Sequence, residues 1–402
     1  VSNRSLANPI VVAGHICLDV IPSIHLPDNR HGVGDLFTPG KLVDIGAAKL
    51  STGGAVSNTG LALHRLGEPV RLMGKVGKDL FGDAILQVLR TYNEQLSQGM
   101  IVADNENSSY TLVISPPGVD RIFLHCTGAN DTFTANDVSD EAIEDAKLFH
   151  FGYPPLMRKM YEDEGRHLEQ LLSRVKQRGI TVSLDLARPD PDSAAGRVDW
   201  RTIFERSLPY VDIFLPSFEE ILYMLRPALY DELADKHEPA ELLHCANSEL
   251  LSSIADELLS MGVAVAGLKL GEHGFYMKTT ADRERLSNLG FCAPSDEIVP
   301  SWINRELLAP CFAVRVAGTT GAGDCTIAGF LASLSRGLTL EETMLAAVGV
   351  GGCNVEEADA VSGIPHWDDV QQRIQGGWEQ QEPGIVLNGF VFDSIHKLWV
   401  KR

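Results

Sequence analysis

Short apolar runs of strand length recur along the chain, with amphipathic helical stretches between them. "KLFHFGYPP" (147–155), "ITVSLDLARP" (180–189), "VDIFLPS" (211–217) and "VAVAGLKLG" (263–271) read as short apolar strands. Strands of that kind are covered on both faces, as in a parallel sheet flanked by helices. "IVVAGHICLDVIP" (10–22) reads as one more buried strand that ends in a polar stretch. Between such runs, 161–178 has a helical period. "GGAVSNTGLALHRLG" (53–67) places Val56, Gly60, Leu63 and Leu66 on one helix face, with Gly67 as its stop. Thr339 and Glu342 are spaced as a capping box at the head of a late helix. At 402 residues the chain suits one large α/β domain or two modest ones.

One segment breaks this rhythm. "SSYTLVISPPGVDRIFLHC" (108–126) is two alternating strands around a Pro-Pro-Gly turn, the pattern of an antiparallel hairpin. The stretch 22–51 is punctuated by Gly and Pro and lacks a helical period. Together they form either a small β flap over a site or two surface insertions without a role. Residues 226–256 and 280–311 read as insertions or long connections, and the tail after 376 turns apolar again at 385–392.

Acidic residues outnumber basic ones 54 to 34, for a net charge of −20. That field argues against nucleic acid or an anionic membrane as partner. No apolar run approaches the ~20 residues that a membrane helix needs, and no signal peptide opens the sequence. Seven scattered cysteines without a C-x-x-C pair argue against a zinc site or a disulfide framework and fit a reducing cytoplasm. The twelve histidines show no metal-ligand spacing.

The most pointed stretch is "AGTTGAGDCTIAGF" (317–330). A helix start leaves backbone N–H groups without partners and carries partial positive charge. Glycines there let an anion come close to the backbone, so Gly321, Ala322 and Gly323 form a candidate anion hole. Asp324 would repel an anion. It makes sense if it faces a second reactant and takes a proton from an attacking hydroxyl, as phosphoryl transfer requires. Its other reading is a helix cap. Walker-type, dinucleotide-binding, H-E-x-x-H and G-x-S-x-G motifs are absent. At the other end of the chain, Gly53 and Gly54 precede a helix carrying Asn58, a pattern that can bind hydroxyls without demanding charge.

"GGAVSN" and "TTGAGD", in this order and separation, resemble the two signatures of the ribokinase-like (PfkB-type) sugar kinase family. "AGHICLD", "KVGKDLFGD", "LKLGEHG" and "AAVGVGGCNVEEADAVSGIP" extend the likeness over roughly residues 10–365. The resemblance implies a three-layer α/β/α fold with a mostly parallel sheet and a small β lid. It implies a kinase domain over 8–375, lid segments at 20–52 and 105–127, and an extension at 376–402. The activity implied is transfer of the γ-phosphate of ATP to a sugar or sugar-like alcohol. Asp324 would be the base and Gly321, Ala322 and Gly323 the anion hole. Asp19, Gly53, Gly54 and Asn58 would hold the sugar. Lys269, Gly271, Thr320 and Asn354 would border the nucleotide, and Glu220 would organise magnesium through water. A monovalent cation such as K+ and a lid-mediated homodimer belong to the same expectation.

Two positions depart from the pattern. Ser217 stands where the family has Asn, which touches on metal affinity, and Cys17 stands where ribokinases bind sugar with Asn, which puts ribose in question. His15, His125, Arg121, Asp185 and Arg188 are further candidates for contact with substrate, each with a structural alternative. A nucleoside kinase on the same fold would need a slot for a base, to which Phe37, Tyr110 and Phe123 could contribute. A catalytically weak ligand-binding relative is the remaining alternative.

Overall fold

The computed structural model describes residues 7–24, 39–115, 122–236 and 239–402. Strand β1 (Ile10–Gly14) is fully buried. It does not run on to residue 22, as the apolar pattern suggests. The chain turns at Gly14, whose φ is +126° and where a Cβ would lie 2.3 Å from the carbonyl oxygen of Gly152. Strand β2 (Cys17–Pro22) then leaves for a second sheet, where it pairs antiparallel with β3 (Ala48–Gly53). The helix Ala55–Arg65 follows, buried on every side over its first nine residues. It returns the chain to β4 (Val70–Met73) beside β1.

Strands β5 (Lys75–Gly77) and β6 (Ile101–Ala103) form a parallel pair, with the helix Leu80–Tyr92 between them. The expected hairpin is β7 (Tyr110–Ile114) and β8 (Ile122–Cys126), paired antiparallel. β7 also pairs with β2, giving a four-stranded sheet in the order β3-β2-β7-β8. This is the small β lid; Phe37 and Arg121 lie outside the described residues.

The main sheet continues through β9 (Leu148–Gly152), β10 (Thr181–Asp185), β11 (Ile213–Phe214) and β12 (Val265–Lys269), all parallel to β1. Then it reverses: β13 (Phe275–Thr279) and β14 (Glu306–Ala309) are antiparallel. The order across the ten strands, with β15 (Phe390–Asp393) and β16 (Leu398–Lys401), is β15-β16-β14-β13-β12-β11-β10-β9-β1-β4.

Successive residues of β1 enter different cores, because side chains alternate across a strand. Ile10 and Val12 face the helices Ala55–Arg65, Ala322–Ser335 and Leu340–Val355. Val11 and Ala13 face Arg166–Gln177, Trp200–Ser207, Phe218–Leu225 and Ser248–Ser260. One sheet between two helical layers is the three-layer α/β/α arrangement.

Two stretches read as insertions need correction. Within 226–256, the helix Ser248–Ser260 begins, and it buries Leu251, Ile254 and Leu258 against the sheet. Its polar first turn, with Asn247 as cap, hides the apolar period. Within 280–311 lies β14, and Trp302 is fully buried among residues of the opposite layer. The apolar tail is also part of the sheet, since β16 pairs with β14.

Candidate active site

The parallel strands end on one side of the sheet, where α/β folds bind ligands. Past β9 comes Tyr153, and Asp185 ends β10; Ser217 follows β11 and Lys269 ends β12. The helix Ala322–Ser335 starts opposite these ends. Its N-cap is Gly321 in the left-handed region (φ 73°), with no side chain capping the first turn.

Asp324 is 3% exposed in that first turn. The amide Nδ2 of Asn58 donates to its Oδ2 at 2.9 Å, and the Tyr153 hydroxyl lies 2.8 Å from both carboxylate oxygens. Thr59 donates to Oδ1 at 3.4 Å. The two glycine-led helices therefore meet at one carboxylate, which is held by side chains of the other helix and does not cap its own. Burial pushes the Asp324 carboxyl above the usual range, opposed by Lys269 and by these hydrogen bonds.

The Lys269 ammonium donates to Asp185 Oδ1 at 2.6 Å. Although burial works against its charge, Asp185, Glu220 and Asp324 hold its proton, and its affinity for the proton is raised. Three carboxylates thus share one ammonium. Burial raises Glu220 and takes Asp185 up to about 8, with Glu220 and Asp324 adding to the shift at Asp185. Asp185 Oδ2 and Asn58 Oδ1 are buried without a hydrogen-bond partner. This surplus of acceptors suits a cation with a charge of two or more.

Ser217 caps the helix Phe218–Leu225. Its N–H donates to Glu220 Oε2 at 2.7 Å, and its hydroxyl accepts from the Glu220 N–H at 3.4 Å. Ser217 and Glu220 therefore hold each other in place just past β11. A Cβ at Gly323 would lie 3.4 Å from Lys269 Cδ, so this part of the turn faces the lysine stem.

A second group lies where β2 and β3 meet the body. Asp19 is raised by burial, and Cys17 donates to its Oδ1 at 3.3 Å. Gly53 makes room for that carboxylate, since a Cβ there would lie 2.4 Å from Oδ2. Gly54 (φ +87°) packs on His15, whose ring is 6.0 Å from that of Tyr153. His15 and His125 meet through their Nε2 atoms at 3.2 Å. Burial lowers the proton affinity of both imidazoles.

The other expected residues sit further out. Thr320 is half-buried just before the Gly321 turn, and Gly271 opens the turn after β12. Asn354 is fully buried and donates to the Ala360 carbonyl at 2.6 Å, so it braces the loop that packs on Gly321. Arg188 reaches Tyr230 at 3.4 Å on the surface. Tyr110 packs edge-on against Phe81, and Phe123 is 55% exposed. Tyr153 was not singled out from sequence. Its signal was its place, the first residue past a buried parallel strand.

The arrangement offers a buried carboxylate, an ammonium beside it, a glycine-led helix start without a side-chain cap and a β lid. A family model described as pfkB family carbohydrate kinase matches residues 10–367. The chain is 25% identical to 2-dehydro-3-deoxygluconokinase of Bacillus subtilis (strain 168), over 81% of this chain and 87% of that protein. It is 24% identical to probable fructokinase-7 of Arabidopsis thaliana, over 93% and 94% of the two. The crystal structure of a fructokinase with bound ATP from Xylella fastidiosa superposes with a TM-score of 0.66 at 18% identity, covering 92% of this chain and 98% of that one, a likeness of fold.

Proposed function

From the premise that the chain belongs to the pfkB family of carbohydrate kinases, we propose that it transfers the γ-phosphate of ATP to a hydroxyl of a sugar or sugar-like alcohol, with Asp324 as base. The observation that carries this reading is the buried Asp324 carboxylate, held by Asn58 and Tyr153 at the head of a glycine-led helix.

ATP supplies the phosphoryl group when bound, and magnesium screens its charge. The chain's own residues do the rest. Gly321, Ala322 and Gly323, at the head of the Ala322–Ser335 helix, form the anion hole that stabilises charge on the transferring group, and the Ala322 N–H, which donates to the Thr319 carbonyl at 3.3 Å, turns to the anion on binding; losing one such donor typically costs about 3 kcal/mol of barrier. Lys269 places a positive charge beside Asp324 and the turn. Asp185 and Glu220 supply the carboxylates that suit magnesium, with Glu220 acting through water. Asp324 orients the acceptor hydroxyl and takes its proton as the new P–O bond forms. Asp19, Gly53, Gly54 and Asn58 hold the sugar, while Thr320, Gly271 and the loop braced by Asn354 border the nucleotide. The lid excludes water that would otherwise accept the phosphoryl group. A K+ ion as activator and a cytoplasmic setting complete the proposal; the cysteines are thiols, and among the described residues no helix is long and apolar enough to cross a membrane.

The test is magnesium-dependent ADP release across fructose, ribose, 2-dehydro-3-deoxygluconate, other polyols and nucleosides. Turnover on a sugar that is lost in Asp324→Asn supports the reading. Turnover that survives in Asp324→Asn rules out the assigned base.

The lid also supports a homodimer. Leu42, Ile45, Leu50, Phe123 and Leu124 are large apolar residues exposed on or beside it, and such patches favour association. Sedimentation equilibrium is expected to give twice the chain mass, falling to the monomer in Phe123→Lys; a monomeric wild type refutes the dimer.

A further inference from the structure

His15, Cys17 and His125 are far apart in sequence, yet their ligand atoms lie within 4.8 Å of one another. His15 lies in the corner between β1 and β2, while Cys17 opens lid strand β2 and His125 comes from lid strand β8. The kinase chemistry above uses none of the three side chains. We propose that they form a binding site for Zn2+ that joins the body of the protein to its lid.

The spacing of the two nitrogens already fits. Two imidazole nitrogens on one tetrahedral zinc, each at about 2.0–2.1 Å, stand roughly 3.3 Å apart. The His15 and His125 Nε2 atoms are 3.2 Å apart. One thiolate and two imidazoles suit zinc, whereas magnesium prefers oxygen ligands. Three protein ligands leave a fourth position for water or a substrate oxygen.

Thr111 supplies the outer hydrogen bonds such a site requires. Its hydroxyl oxygen lies 3.0 Å from His125 Nδ1 and 3.5 Å from Cys17 Sγ. An Nδ1–H donated to Thr111 leaves the His125 Nε2 lone pair free, and the Thr111 O–H can then donate to the sulfur. Second contacts of this kind fix the tautomer and orientation of metal-bound histidines. On binding, the Zn–S bond forms as the thiol proton leaves to solvent. The thiol that otherwise donates to Asp19 at 3.3 Å is then engaged by the metal.

Cobalt(II) is the probe, titrated into the full-length protein without nucleotide or sugar, so the outcome does not depend on the kinase reading. One Co2+ per chain is expected, with a near-ultraviolet sulfur-to-cobalt charge-transfer band that Zn2+ abolishes by displacement. Cys17→Ser should lose the band, His125→Asn should weaken binding, and Thr111→Val should weaken it by about 10- to 100-fold. Circular dichroism checks that each variant is folded, and His125, on the exposed side of the group, is the position least able to disturb the core. The cluster His244, Glu272 and His273 contains no sulfur, so cobalt held there gives no such band. Absence of the band, its persistence in Cys17→Ser, or unchanged affinity in folded His125→Asn overturns the site.

Discussion

Two helices of this protein begin with the same local device and use it differently. Both the Ala55–Arg65 and the Ala322–Ser335 helix have a glycine of positive φ as N-cap, without a side-chain cap. At Gly54 the space is filled by the protein itself. A Cβ there would lie 2.5 Å from His15 Nδ1 and 2.6 Å from the His15 carbonyl oxygen. At the second helix the N-cap Gly321 is crowded too, with a Cβ 2.9 Å from that of Ala360, but two residues on, at Gly323, the nearest atom is a lysine methylene at 3.4 Å. Gly54 and Gly321 are required by neighbouring stretches of chain. Gly323 has open space beside it, and the next residue is Asp324.

The contrast can be broken at several points. The largest effect is expected at the carboxylate: Asp324→Asn should lower kcat by about 10²–10⁴-fold while ATP binding, followed by calorimetry, persists. The two glycines should then separate stability from activity. Gly323→Ala should keep the wild-type melting temperature and lose activity on the order of 10²-fold, through misplacement of the reacting groups. Gly54→Ala should destabilise the fold itself by about 2 kcal/mol, from left-handed strain and the clash with His15. Equal melting temperatures for the two variants would mean that the helix starts are equivalent.

The smallest effect is a pH shift. A base works only when ionised, so kcat/KM should rise with pH through the raised pKa of Asp324. The Tyr153 hydrogen bond holds that pKa down. Tyr153→Phe should therefore move the acid limb of the profile to higher pH. An unmoved limb would show that Tyr153 only packs there.

Much of this was legible in sequence because backbone demands are local. Glycines at a helix start, a capping box at Thr339 and Glu342, and a strand apolar on both faces such as Ile10–Gly14 each announce themselves within a few residues. The exceptions depend on distant chain. The break between β1 and β2 follows from the approach of Gly152 to Gly14, and nothing in "AGHIC" states it. Tyr153 adopts φ 66° and reaches a carboxylate that only the fold brings near. The ion pair of Asp185 with Lys269 joins two residues noted separately, since pairing across a sheet carries no short-range pattern. Strand β14 is four residues long, too short for its alternation to stand out in a polar stretch.

The hydrogen bond from Asn58 to Asp324 closes a separation of 266 residues, and that from Tyr153 closes 171. Contacts so remote cost loop-closure entropy before they return any stability, and chains dominated by them fold slowly. Asp324 and its two partners therefore come together only when segments from both ends of the chain have met, so this centre is among the last features to form as the chain folds.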